Sequence, residues 1–331
     1  MNKQDGLYRY NSDDYSMYNM RAKGNIQILE WLNLDNNTEF SQMKYHNPIN
    51  VGEGGGIWRN IADEGHPLAP MFNPDGTLSH SAAYTVGDFW YGKNGKDTKK
   101  NITRNKSALT AQFFDKALSI KGDFTFQITD NNAKQIRVPV PYSRTPGVVS
   151  YVGSNTNDIE VSNESTTYIA TNIYADYNKQ FAKKHNVGIL AGYNYEQSVW
   201  ERNRVLRNGL IFEDASDVNL ALGQNIETQG GYQKWQLAGG FFRLNYNFME
   251  RYLLEFNGRY DASSKFPTNQ QGAFFPSASV GWRPSEEAFW KVPASIMSDL
   301  KVRASYGSLG NGNINPYSFT ENFSISQSDR I

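Results

Sequence analysis

Apolar and polar side chains alternate strictly near the C-terminal end of the chain. The segments LEFNGRYD from Leu254, FFPSASVGWR from Phe274 and LKVRASYG from Leu300 share one rule. One set of alternate residues is apolar or aromatic, apart from a glycine, and the other set is mostly polar. Because successive side chains of a strand point to opposite faces, this pattern predicts strands with one apolar and one polar face.

Less regular alternation predicts further strands upstream, about ten in all. They are expected in TYIATNIYADYNKQF, NVGILAGYNYE and FFRLNYNF, and at roughly 17–29, 34–46, 106–114 and 118–129. The connections KQFAKKHN and NFMERY are short, whereas 47–105, 130–163 and 203–230 are long and polar. Short turns at one end and long loops at the other are typical of an antiparallel transmembrane β-barrel in an outer membrane.

Alternation by itself fits a second fold equally well. In a soluble β-sandwich the same apolar faces would form the core between two sheets. The asymmetry of the connections favours the barrel, of which about ten strands would form only a part. The two hypotheses differ in what covers the apolar face, which is lipid in the barrel and a protein core in the sandwich.

Charged residues of the last strands fall on the polar faces. Seven are predicted to face the wet interior of a barrel: Arg243, Glu255, Arg259, Asp261, Arg283, Lys301 and Arg303. An Arg or Lys facing lipid at mid-bilayer would cost about 2–4 kcal/mol. We expect these charges to be structural and to pair with one another or with a plug.

Composition excludes several classes of function. The chain has 33 basic and 33 acidic residues, so no net field would attract nucleic acid. It has no cysteine, which excludes disulfides and cysteine metal sites. No run approaches the about 20 apolar residues of a membrane-spanning helix, and the opening MNKQDGLYRYNSDDY does not resemble a signal peptide.

Motifs for catalysis or cofactor binding are weak. VGEGGGIW at 51–58 is rich in glycine but lacks the Lys-Ser/Thr pair of a phosphate loop. The four histidines are scattered, without metal-ligand spacing: His46, His66, His80 and His185. No nucleophile, base and oxyanion set is recognisable, so neither an enzyme nor a cofactor or metal site is expected.

Aromatic residues suggest two kinds of contact. Phe89, Trp90 and Tyr91 lie in the long segment GDFWYGKNGKD, where they could bind a ligand or a partner lid, or fold the loop onto itself. Three tryptophans are predicted to belong to an aromatic girdle at the membrane interface: Trp58, Trp200 and Trp235.

Several segments resemble, in order and spacing, the barrel of SusC/RagA-type TonB-dependent outer-membrane transporters. They are PMFNPDGT, YADYNKQFAKKHNVGILAGYNYEQS, FFRLNYNFMERYLLEFNGRYDASSKF, GAFFPSASVGWRPSEEAFWK and LKVRASYGSLGNGNI, which together cover much of 68–315. They are specific as a set. The family often has Gly where this chain has Ala262, a small-for-small difference.

The resemblance implies a bacterial outer-membrane importer of oligosaccharides or peptides. Its expected partners are a SusD-like surface lipoprotein as lid, the TonB–ExbB–ExbD complex as motor, and membrane lipid. The family is expected to carry a signal peptide, a plug and about 22 barrel strands. Residues 1–331 are therefore expected to be part of one receptor β-barrel domain, without signal peptide, plug or C-terminal strands. The alternatives are a soluble or surface β-sandwich that binds glycans and, with less support, a small hydrolase.

Overall fold

The computed structural model describes residues 1–51 and 57–321, without the side chains of 57, 58 and 64. Within these ranges there are thirteen strands: β1 Asn2–Asp5, β2 Asp14–Leu29, β3 Leu32–Pro48, β4 Gly95–Phe113, β5 Leu118–Arg137, β6 Val140–Thr145, β7 Val148–Val152, β8 Asp158–Phe181, β9 His185–Asn208, β10 Ile226–Phe248, β11 Tyr252–Ser263, β12 Gly272–Trp282 and β13 Val302–Gly307. The α-helices are α1 Ile57–Glu64, α2 His80–Thr85 and α3 Gly87–Tyr91, and short 3₁₀ turns lie at Val218–Leu220, Thr268–Gln270 and Pro284–Glu286.

Eleven strands form one sheet in the order β1-β2-β3-β4-β5-β8-β9-β10-β11-β12-β13. Every neighbouring pair is antiparallel, as in the β9–β10 ladder from Phe248↔His185 to Ile226↔Arg207. β6 and β7 form a separate hairpin. Within the described residues β1 and β13 are the two edges, so the sheet is a section of an all-β, up-and-down wall, as predicted.

The strands are longer than predicted. β8 and β9 have 24 residues each, and β4 begins at Gly95, within the predicted loop 47–105. Alternation fades in the added halves because polar residues occupy both faces there. The pattern therefore identified only the part of each strand with one apolar face, and it missed β1 and the β6–β7 hairpin.

Tight turns join the strands at one end of the sheet. Two consecutive residues have positive φ in the turns after β8 and β10: Ala182 (49°) and Lys183 (59°), and Met249 (55°) and Glu250 (60°). Left-handed turn residues give hairpins a twist that matches the twist of the strands. The longer connection 283–301 lies at this same end, and the opposite end carries the connections 49–94, 138–157 and 209–225.

Register places the alternating apolar residues on one continuous face. One row across four strands contains Leu244, Phe256, Ala278 and Tyr306. These apolar side chains are not packed against protein: Phe256 is 52% exposed and Phe274 is 53% exposed. The two buried apolar clusters of the described residues lie instead within the long connections and the adjoining strand ends.

A sheet with this much uncovered apolar surface is not one layer of a sandwich. The β-sandwich alternative is therefore wrong, because no second layer among the described residues covers the apolar face. Lipid is the medium that covers such a face without protein contacts. Among the described residues, no helix is long and apolar enough to cross a membrane.

Aromatic rings on the apolar face gather near the tight turns. Trp31 lies 5.3 Å from Phe113, and Phe248 stacks near Tyr252 with centroids 6.4 Å apart. Trp282 lies 6.2 Å from Phe289 just beyond β12. Such a belt marks the membrane interface of a barrel.

The predicted girdle members lie elsewhere. Trp200 and Trp235 are on the polar face, where the Trp200 ring covers Gly231 and the Lys265 ammonium lies 4.9 Å from the Trp235 ring centre. The girdle prediction for these two residues is wrong, because their positions in the β9–β10 register put them opposite the apolar rows. The side chain of Trp58 lies outside the described residues.

Leu244→Arg tests the assignment of the apolar face. Leu244 is 43% exposed on that face, a few residues from the tight turn after β10. We expect the substitution to lower the free energy of unfolding in lipid vesicles by about 2–4 kcal/mol. In the matched control Asn245→Arg, the new charge lies on the polar face opposite Glu255, and the change should stay within about 1 kcal/mol. Equal losses in the two variants would contradict the assignment.

Candidate functional site

The polar face brings together most of the predicted charged residues. Arg243 Nε donates to Asn257 Oδ1 (2.9 Å), and Asn257 Nδ2 donates to Glu255 (2.8 Å). Arg303 lies in β13 and Lys301 directly precedes it; both line, with Glu255, an open recess of about 550 Å³ at the turn end of the sheet. That these groups face the interior of a closed barrel stays a prediction, since the described sheet is open.

The contacts of Arg283 lie in the connections at the turn end of the sheet, away from the polar-face charges with which alternation grouped it. It follows the last residue of β12, and its guanidinium lies 3.2 Å from Asp299 and 3.4 Å from Glu286. It also donates to the Glu250 carbonyl oxygen at 3.4 Å. Arg283 therefore fastens the connection 283–301 to the neighbouring turn and does not join the Arg259–Asp261 pair.

A glycine forms the floor of the best-organised polar cluster. Asn194, Gly239 and Asp261 are direct neighbours across β9, β10 and β11. Arg259 donates from Nε to Asp261 (2.7 Å) and from Nη2 to Asn194 Oδ1 (2.6 Å), above Gly239. A Cβ atom at 239 would lie 2.2 Å from Asp261 Oδ1 and 2.7 Å from Arg259 Nη2. In this arrangement of the Asp261, Arg259 and Asn194 side chains, only glycine fits at position 239.

Aromatic rows cross the same face and were missed by sequence reasoning. Tyr168 and Trp235 lie on either side of Ser198, with ring centres 6.4 Å apart. Further toward the turns, Tyr174 and Phe241 close over Gly192 in the same way, with atoms of both 2.6 Å from where its Cβ would be. In each row a small residue on β9 lies between an aromatic residue on β8 and one on β10. This arrangement could have indicated the rows, but it can be recognised only once the strand register is known.

Ion pairs fix the part of the polar face nearest the long connections. Arg137 makes a two-pronged contact with Asp158 (2.9 and 2.7 Å), and Arg204 contacts Glu160 at 2.7 Å. Planar two-pronged pairs hold both geometry and orientation. These ion pairs hold β5, β8 and β9 in fixed register at the end of the sheet that carries the long connections.

The long connections pack together into what we call the loop cap: residues 49–51, 57–94, 138–157 and 209–225. One apolar core contains Val51, Leu78, Ala82, Ala83, Val140 and Val152. A second combines Val138 and Ile159 with Leu210, Ala215 and Ala221. The cap is therefore a folded unit with its own interior.

The three predicted contact aromatics, Phe89, Trp90 and Tyr91, lie on α3 in the cap. Phe89 is 5% exposed and packs against the Tyr8 ring with centroids 4.0 Å apart. Tyr91 packs against both apolar cores, and burial, together with the nearby Glu213 carboxylate, raises the pKa of its hydroxyl. Trp90 is 43% exposed, so of the three it presents the most surface for a contact.

The segment PMFNPDGT, residues 70–77, fastens the first part of the loop cap to the β6–β7 hairpin within the same cap. Asn73 Nδ2 donates to the carbonyl oxygens of Leu78 (3.2 Å) and Ser143 (2.9 Å). Gly76 closes the turn with φ of 83°, a left-handed value that favours glycine. Asn73 and Gly76 thus give this segment a structural role.

A buried polar junction lies beneath α3. The Asp88 carboxylate accepts from Asn94 Nδ2 (2.7 Å) and from the Val51 amide (3.3 Å). Asn94 also bonds both backbone groups of Val138, at 2.6 and 2.9 Å. Burial raises the pKa of Asp88 to about 6, against the lowering effect of its hydrogen bonds.

The described ranges contain no cluster of metal-ligating side chains. No group of three or more His, Cys, Asp or Glu side chains there could hold a metal ion. His46 contacts Asp97 (2.8 Å) and His185 contacts the Tyr246 hydroxyl (2.7 Å), so both have structural contacts. The glycine-rich segment at 52–56 lies outside the described residues.

Comparison with known proteins identifies the family to which the chain belongs. Residues 54–329 match the family described as "TonB dependent receptor-like, beta-barrel". The chain belongs to this family, whose members are outer-membrane receptors and transporters, and its place is the outer membrane.

Individual proteins of known name or structure are similar to the chain to different extents. TonB-dependent receptor P3 of Formosa agariphila is 28% identical over 279 residues, covering 82% of this chain and 27% of that protein. SusC of Bacteroides thetaiotaomicron is 42% identical over 78 residues, 24% of this chain and 8% of that one. In fold, the chain resembles a structure of the RagAB peptide transporter with a TM-score of 0.75 and 19% identity, over 98% of this chain and 37% of that chain. The matched region thus covers between 8% and 37% of the length of these relatives.

Gly239→Ala tests the polar cluster. The added methyl group must displace Asp261 and Arg259, which should lower the free energy of unfolding by about 1–3 kcal/mol. Gly240→Ala is the matched control, because a Cβ there meets nothing within 4 Å, and its effect should stay within about 0.5 kcal/mol. Denaturant unfolding of both variants in detergent micelles makes the measurement, and a control as unstable as Gly239→Ala would contradict the assignment.

Proposed function

We propose that this chain forms part of the barrel wall of a TonB-dependent importer for oligosaccharides or peptides. The observation that supports it best is the two-faced sheet, with an uncovered apolar face and a polar face of paired charges and amides. A wall of this kind separates lipid from a water-filled passage. The fold shared with the RagAB peptide transporter supports a peptide as one cargo class, and the resemblance of the barrel segments to SusC/RagA-type transporters supports oligosaccharides as the other.

The open edges bear on how the wall is completed. Backbone groups along an unpaired strand edge cost several kcal/mol each in lipid. We propose that residues 1–331 belong to one receptor β-barrel domain and that further strands of the same protein pair with β1 and β13. A plug in the lumen, contacted through the polar face, would couple uptake to the TonB–ExbB–ExbD complex.

The loop cap is the proposed contact for a SusD-like surface lipoprotein. It lies at the end opposite the tight turns, which in a barrel of this family is the outer side of the membrane. Exposed aromatic side chains are available there, since Trp90 meets the rings of Tyr10 (4.8 Å) and Phe72 (4.9 Å) edge-on and stays 43% exposed. Amphipathic rings of this kind are frequent in interfaces.

Deletion of the gene tests the proposal. Uptake of fluorescently labelled oligosaccharide and peptide mixtures is measured in wild-type cells, in the deletion strain and in the deletion strain carrying the gene on a plasmid. We expect uptake of one cargo class to fall at least about tenfold and to return with the plasmid, and a TonB-deficient strain to lose the same class. Unchanged uptake of every oligomer in the deletion strain would contradict the proposal.

A further inference from the structure

The Asp88 junction ties three strand ends to the loop cap. Val51 lies just beyond β3, Asn94 directly precedes β4, and Val138 directly follows β5. All three are linked through the Asp88 and Asn94 side chains, each only 1% exposed. A change in the state of Asp88 therefore acts at the point where the cap joins the wall.

Among the described residues, no positive charge pairs with the Asp88 carboxylate. The cations on the adjoining segments are engaged elsewhere: Lys93 with Asp214, and Arg137 with Asp158. Other ionisable side chains on the elements packed around α3 include the phenols of Tyr8, Tyr84, Tyr91 and Tyr142, His80 on α2, and Arg144 on β6, whose guanidinium contacts the His80 ring. Burial with only two neutral donors disfavours the ionised form of this carboxylate relative to the same group in water.

We propose that the Asp88 junction is a pH-sensitive latch, which holds the loop cap firmly to the wall in acid and loosens it as the medium becomes neutral. Protonation removes the buried charge while Asn94 keeps its carboxyl acceptor. Ionisation restores the charge and favours openings in which water reaches Asp88. The latch is a property of the cap and does not depend on the proposed cargo.

The direction of the pH effect on the latch follows from the raised pKa of Asp88. Folded Asp88 has a pKa of about 6, above the ordinary value of 3.8. Its stabilising contribution is therefore fully present below about pH 4 and is lost as the pH rises through about 6. A shift of about two units corresponds to an increase of about 100-fold in the opening equilibrium.

Hydrogen exchange of the intact protein tests the latch. Amide protection in residues 80–94 is measured between pH 4 and 7.5 by mass spectrometry, with rates corrected for intrinsic exchange and referenced to β10 and β11. We expect the opening equilibrium of this segment to rise up to about 100-fold with pH in the wild type. In Asp88→Asn, which is neutral at every pH and keeps an acceptor for Asn94, protection should be independent of pH.

A matched control is Asp75→Asn, which removes an exposed carboxylate of the same cap. It should retain the full pH dependence of the wild type. A wild-type cap whose corrected protection is the same at pH 4 and pH 7.5 overturns the proposal without any variant. Retention of the pH dependence in Asp88→Asn overturns it as well, because another group would then be responsible.

Discussion

An apolar sheet face that no protein layer covers is the constraint on which the rest of the structure depends. Transfer of apolar surface out of water contributes about 25 cal/mol per Å², so a wide row of exposed Phe, Leu, Val and Tyr side chains requires an apolar medium. In that medium each backbone donor and acceptor must find a partner within the protein. Antiparallel ladders joined by tight turns meet this requirement for every strand except the two edges.

The same constraint divides each long strand into a part that crosses the bilayer and a part that extends into water. A strand of 24 residues, such as β8 or β9, extends for about 80 Å at about 3.3 Å per residue, whereas about 9–11 residues cross the bilayer. The remainder stands in water, where ion pairs such as Arg204–Glu160 hold the register. The loop cap rests on this extension, which places its packed interior and the Asp88 junction beyond the membrane.

Sequence patterning predicted those parts of the fold that are governed by one apolar face. The alternation around Phe256 and Val280 was decisive because a one-residue slip would turn every apolar side chain toward the polar side. It did not predict the upper halves of β4, β8 and β9, since water on both faces removes the signal. Trp200 and Trp235 were misplaced for a related reason: large aromatic side chains satisfy either face, and only the cross-strand register decides.

The candidate site was predictable in its parts but not in its grouping. Arg259 and Asp261 lie two residues apart on one strand, so their pairing followed from alternation. Asn194 and Gly239, which complete that cluster, come from other strands and required the register. Asp88 gave no signal at all, because its burial results from the packing of three chain segments that are distant in sequence, around Val51, Asp88–Asn94 and Val138.

Site-directed spin labelling along β11 tests the central claim, that lipid covers the apolar face, most directly. The chain contains no cysteine, so single cysteines placed from Tyr252 to Ser263 report their positions without background. In the membrane-embedded protein we expect labels at the even-numbered positions to collide mainly with oxygen dissolved in lipid. Labels at the odd-numbered positions should collide with a water-soluble nickel complex, giving a period of two residues. Absence of this period, or access of the nickel complex to the even-numbered positions, would contradict the account.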